Sequence, residues 1–241
     1  MEIVFLLLIF ILAFLYSSVG HGGASGYLAL MALFSIDPSL MKSSALLLNF
    51  FVSSIAFIAF YRGGHFKWKL LLPFIITSIP MAYLSAGIKI NSTMYKGILA
   101  VCLLFGIIRM LFMSRTENEK SKQLPFQAGL TIGALLGFIS GLIGIGGGII
   151  LSPILIIFRW ASLKETAAVS AMFIFLNSAS GLFGLGNTGL NLNSEMITMT
   201  GMAIIGGIAG SYAGSFKWQY EKLKYALALV LLIASFKLFI I

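Results

Sequence analysis

Charge is what this sequence has least of. Only 10% of its 241 residues are Asp, Glu, Lys or Arg, against about 25% in an ordinary soluble domain. That is too few to cover a water-facing surface. Cysteine occurs once, as Cys102 inside an apolar stretch, which excludes a disulfide framework and a cysteine metal cluster. The seven acidic residues (Glu2, Asp37, Glu117, Glu119, Glu165, Glu195, Glu221) all fall near the ends of apolar blocks or between them. No carboxylate is therefore placed at mid-membrane depth, which argues against a cation pump with an acidic relay. Paired catalytic carboxylates, a Ser-His-Asp set at a common depth and an HExxH pattern are also missing. The expectation is a protein with no catalytic residues, no metal and no cofactor. The net charge of +9 comes from basic residues scattered at block ends rather than in a run, so nucleic acid is not expected as a partner.

What is present is apolar residues in long blocks: Leu46–Tyr61, Leu70–Ile88, Gly97–Met113, Gly129–Ile143, Ala167–Leu185 and Tyr225–Ile241. A helix needs about 20 residues to cross a bilayer, and its backbone groups must be satisfied internally. Barrel strands would run about 10 residues and alternate polar with apolar; these blocks do neither. The first apolar stretch does not read as a signal peptide, because Glu2 stands where a basic n-region is expected. The fold class expected is an all-α integral membrane protein with the lipid bilayer as its surroundings.

The chain also repeats itself. Val19-Gly20-His21-Gly22-Gly23-Ala24 matches Ile143-Gly144-Ile145-Gly146-Gly147-Gly148, and Lys42-Ser43-Ser44-Ala45 stands to its span as Ala168-Val169-Ser170-Ala171 does to its own. Ala82 pairs with Gly210, Lys96 with Lys224 and Arg109 with Lys237. The matches keep their order and nearly constant spacing. The chain thus divides into an N-terminal repeat (1–113), a charged linker (114–125) and a C-terminal repeat (126–241). Each repeat is a glycine-broken helical hairpin, with a short apolar segment (25–35 or 149–158) after the break, followed by three transmembrane helices.

Lysine and arginine bias orients such a chain. With the linker cytoplasmic and each hairpin returning to its own side, the halves are inverted. Only Lys42, Lys89, Lys96 and Lys237 then face outward, and the 16 basic residues divide 12 to 4. If the short segments crossed fully, the split would be 8 to 8. The inverted arrangement is the expectation, in a multi-pass protein of the cell membrane whose linker 114–125 is cytoplasmic.

Broken helices in inverted repeats are a recurring way to build a solute site at the midplane. Gly20, Gly22, Gly23 and Gly144, Gly146, Gly147, Gly148 end one helix and begin another. Glycine permits positive φ, and successive free amides at a helix N-terminus attract an anion. Glycine in membrane helices also serves plain helix packing; two equivalent clusters, each with a short segment behind, favour a site. His21 is the one titratable side chain at a break, and its counterpart is Ile145. Ser43, Ser44, Asn49, Ser170 and Asn177 supply hydroxyls and amides on the following spans. The expected partner is a small anionic solute. The reading that fits best is a transporter; a passive anion channel and a non-transporting membrane scaffold are the alternatives, and the sequence also allows a homo-oligomer.

At these breaks the sequence resembles the sulfite exporter TauE/SafE family of membrane permeases. Ser18-Val19-Gly20-His21-Gly22-Gly23 and Gly141-Leu142-Ile143-Gly144-Ile145-Gly146-Gly147-Gly148 carry the likeness, with Ser43-Ser44-Ala45 and Ala168-Val169-Ser170-Ala171 downstream. The resemblance implies a secondary transporter of small sulfur-containing anions such as sulfite or organosulfonates. His21 and Ala24 depart from the second copy, which has Ile145 and Gly148.

Overall fold

A computed structural model describes residues 3–112, 122–186 and 194–216. The described residues form helices and connecting turns: α1 (Ile3–Ser18), α2 (Ala24–Leu33), α3 (Pro38–Arg62), α4 (Trp68–Ala86), α5 (Ser92–Phe112), α6 (Phe126–Ile143), α7 (Gly148–Ile157), α8 (Leu163–Leu185) and α9 (Ser194–Phe216). Five of them, α3, α4, α6, α8 and α9, are long and apolar enough to cross a membrane. The chain is an all-α integral membrane protein. Most of the linker and the span expected at Tyr225–Ile241 lie outside the described residues.

The two short helices follow the glycine breaks. At 10 residues each, α2 and α7 are about 15 Å long, half the thickness of the hydrocarbon core. The left-handed turns are in matching places. Gly20 and Gly144 have φ of 77° and 79°, and Gly23 and Gly147 have φ of 97° and 72°. The short helices end alike too. Ser35 and Arg159, neither a glycine, hold φ of 57° and 59°, and in each turn the next amide reaches back to the helix, Ile36 N–H to Met31 O and Trp160 N–H to Leu155 O.

Packing between halves is an exchange. α1 packs chiefly on α9 and α6 on α4, while α3 and α8 cross between them. Lys42 of α3 lies on Gly144 as Ala167 of α8 lies on Gly20. Likewise Ser78 of α4 backs Gly137, and Gly206 of α9 faces Ala13. These contacts relate matching positions of the helices in space, 124 residues apart for α1–α2 and α6–α7, 125 for α3 and α8, and 128 for α4 and α9. The α3/α8 value is one less than the serine stretches suggest in sequence. Asn49 consequently stands opposite Ile174, and Asn177 lies about one turn further along.

The exchanged pairs come close because one partner is glycine. Gly133, Gly137 and Gly141 on α6 sit against backbone of Phe74, Ser78 and Ala82, and Thr77 Oγ1 donates to Leu130 O at 2.7 Å across the same seam. On the other seam Gly206, Gly210 and Gly214 of α9 sit against Phe10, Phe14 and Ser18. Where lipid gives no hydrophobic drive, such backbone approach is a main source of helix association.

Candidate functional site

The two breaks meet at the centre of the molecule, on one residue from each crossing helix. A side chain added at Gly22 or at Gly146 would run into Asn49 and would come within 3.0 Å of Ile174 Cγ2 in both cases. Asn49 is buried and bonded through both its oxygen and its nitrogen. Its Oδ1 accepts the Ala24 N–H at 2.9 Å, which caps α2, and its Nδ2 reaches Ile145 O at 3.5 Å in the other break. One amide side chain thus ties the start of one short helix to the break before the other.

The backbone of the breaks is left open. Gly22, Gly23, Gly146 and Gly147 are buried, and among the described residues none of their four amides has an acceptor. Buried N–H groups without partners are rare in folded proteins. Here they cluster at the N-termini of α2 and α7, where the helix dipole is positive. The Tyr27 hydroxyl, also buried and without a partner, stands beside Gly23, 2.8 Å from where a β-carbon would be. All these groups are hydrogen-bond donors, and an oxyanion is the acceptor that would satisfy several of them together.

His21 sits beside this cluster. Its Nε2 is 2.9 Å from Ser152 Oγ, and Ser152 Oγ is 2.8 Å from Ser170 Oγ; the His21 Nδ1 lies 3.1 Å from Val19 O. A ring donating from Nδ1 to Val19 O accepts the Ser152 proton at Nε2. A doubly protonated ring donates at both nitrogens, and Ser152 then turns its proton to Gly148 O, 2.9 Å away. Both ring nitrogens thus have a hydrogen-bonding partner. The three equivalent positions in the other half are Ile145, Leu28 and Ala45, all members of one apolar cluster. The pseudo-symmetric site is polar on one side only.

Other candidates lie elsewhere. Gly20 and Gly144 are packing residues, against Ala167 and Lys42. Gly148 begins α7 and would meet Ile174 with any side chain. Ser43 bonds back to Leu40 O. Ser44 lines a funnel one turn above Asn49 rather than the breaks themselves. Asn177 faces α4, donating to Ser78 Oγ at 3.1 Å and Phe173 O at 2.8 Å. Sequence reasoning missed Ser152, Tyr27 and Tyr95. The last donates from its hydroxyl to Ile143 O at 2.9 Å and so satisfies a C-terminal carbonyl of α6. Ser152 had a visible signal, being the one hydroxyl in an otherwise apolar ten-residue helix.

Comparison with known proteins gives a consistent picture. The profile of the family described as sulfite exporter TauE/SafE matches residues 5–238. A "Probable membrane transporter protein y4hK" of Sinorhizobium fredii is 32% identical over 236 residues, covering 95% of this chain and 94% of its own. A "Probable membrane transporter protein MJ0441" of Methanocaldococcus jannaschii is 30% identical over 55% of this chain and 51% of its own. A "Probable membrane transporter protein YjnA" of Bacillus subtilis is 24% identical over 91% and 92%. No solved structure matches the chain.

Proposed function

The chain belongs to the sulfite exporter TauE/SafE family and is a membrane transporter, not an enzyme, and from that premise we propose that it carries small sulfur-containing oxyanions such as sulfite or an organosulfonate. The anion is held between the two breaks by the amides of Gly22, Gly23, Gly146 and Gly147. Tyr27 and the His21–Ser152–Ser170 chain flank it. The halves are inverted in the membrane, with the linker cytoplasmic, and they move about Asn49 and Ile174 to expose the site to one side and then the other. The supporting observation is the set of four buried, acceptor-less amides at two adjoining helix N-termini. An anion leaving a negative interior runs downhill in voltage, so export needs no further coupling.

The test is uptake into proteoliposomes of labelled sulfite, thiosulfate, sulfate, a small sulfonate and chloride, with and without imposed voltage. Saturable uptake and counterflow of one sulfur oxyanion, lost on Asn49→Leu, is the expected result. Flux without saturation or counterflow makes the protein a channel. Absence of uptake of every anion from folded protein overturns the anion reading.

A further inference from the structure

The two ends of the molecule are built from equivalent positions and are packed differently. At the end formed by α2, α3 and α9 a funnel of about 260 Å³ runs inward, lined among others by Met31, Ile36, Leu40, Ser44, Glu195 and Met199. Its rim is exposed and Ser44 lies deep in it. By the registers of 124, 125 and 128, the matching residues at the other end are Leu155, Trp160, Glu165, Val169, Lys67 and Leu71. There the matching residues pack against one another. Leu71, Leu155 and Val169 are fully buried in one apolar cluster, with Trp160 and Phe66 packed against it. Lys67 and Glu165 form an ion pair across the mouth. Phe66 is further wedged by Phe57 and Trp68, at ring distances of 5.0 and 4.9 Å. The positions equivalent to the Lys67–Glu165 pair are Glu195 and Leu40, which cannot form one.

We infer that the funnel is the open path from the breaks to one side of the membrane, and that Phe66, Trp160 and the Lys67–Glu165 pair are the closed gate on the other. This rests on the transport reading above. α3 joins the two ends: Leu40 and Ser44 lie at its start and Arg62 at its finish, 25 residues apart in all, so the gate and the funnel mouth stand on opposite faces of the bilayer. Ser44 is five residues, about 7.5 Å of helix, before Asn49. An exchange of the two packings, each available to the same backbone plan, closes the funnel and opens the gate. Arg62, Lys67, Lys69 and Lys164 gather on the gate side, where they draw anions.

The experiment needs no anion, so its failure is separate from failure of the substrate reading. In a Cys102→Ala background, Ser44→Cys and Val169→Cys are placed singly in sealed vesicles of both orientations and treated with a membrane-impermeant cationic thiol reagent. Ser44→Cys is expected to react at least about tenfold faster, and from the side opposite Lys67. Adding Phe66→Ala and Glu165→Gln is expected to raise the Val169→Cys rate and lower the Ser44→Cys rate together. Surface pairs give a second reading that makes no demand on the core. A short bifunctional thiol crosslinker joins Lys67→Cys to Glu165→Cys and leaves Leu40→Cys and Glu195→Cys unjoined. Equal labelling at the two depths, equal crosslinking of the two pairs, or rates that rise together on loosening the gate would each overturn the inference.

Discussion

Ser152 Oγ lies 2.9 Å from His21 Nε2, a contact between residues 131 positions apart that carries the polar side of the centre across the boundary between the halves. A second serine, Ser170, continues the chain from a third helix. The fold could tolerate apolar residues there, since Ile145, Leu28 and Ala45 occupy the equivalent places. Polarity is thus not demanded by the architecture.

Removing Ser152 leaves a buried ring nitrogen without its partner. Ser152→Ala is expected to cost about 1 kcal/mol, the low end for a buried hydrogen bond because membrane groups find other partners. The coupling is the sharper measure: His21→Ala with Ser152→Ala should cost less than the sum of the two single losses. Equilibrium unfolding in detergent of the two single variants and the double checks it, and additive losses would contradict a shared bond.

Asn49→Leu keeps the volume and removes both hydrogen bonds. The Ala24 N–H loses its acceptor at the start of α2, and a loss of about 1–3 kcal/mol is expected from that group alone. Ile174→Val, at the equivalent place on α8, should cost about 0.5–1.5 kcal/mol from lost methylene packing. Thermal unfolding midpoints separate the two, and transport should vanish only in Asn49→Leu.

At the glycine seams, Gly137→Leu would push a side chain into backbone of Ser78, and Gly210→Leu into that of Phe14. Neither variant is expected to yield folded protein. Gly97→Ala and Gly201→Ala meet nothing within 4 Å and should stay within about 0.5 kcal/mol of the parent. Yield of monodisperse protein in detergent is the readout. The same geometry makes Gly146→Val and Gly147→Val poor probes of the site. Both have positive φ, and a β-carbon would come 2.5 Å from Asn49 Nδ2 or 2.8 Å from Phe173 Cε1, so folding would suffer with transport.

The start of α8 separates a cap from an ion pair. Ser162 Oγ accepts the Glu165 N–H at 3.4 Å, and Glu165 accepts the Ser162 N–H at 2.8 Å. Ser162→Ala should cost about 1 kcal/mol. Glu165→Gln keeps the reciprocal cap and loses only the pair with Lys67, whose side chain is 59% exposed; that loss should stay below about 1 kcal/mol. Unfolding at low and high salt distinguishes them, since only the second effect is screened.

Five of the spans, the two breaks and the short segments behind them were legible because each leaves a local mark: blocks of apolar length, glycine clusters, and ten apolar residues where about 20 are needed to cross. Which residues face the breaks was less so. Ser44 and Asn177 share composition with their neighbours, and the face a helix turns inward shifts by 100° per residue. Asn49 and Asn177 are 128 residues apart, three more than the 125 that relates α3 to α8, so Asn49 stands beside Ile174 in space instead. Ser152 and Tyr27 act through contacts with residues brought near by the fold; Ser152 stood out in sequence only as the one hydroxyl of α7, and Tyr27 did not stand out at all.

The glycines of both seams belong to one half. α6 carries Gly129, Gly133, Gly137 and Gly141, and α9 carries Gly206, Gly210 and Gly214, whereas α1 and α4 contain none. Each seam is a ridge meeting a groove, and the two moulds have been shared out between the copies. A half paired with a duplicate of itself would set ridge on ridge or groove on groove, so the partners discriminate against themselves. The two halves fit as a lock and its key, and neither can stand in for the other.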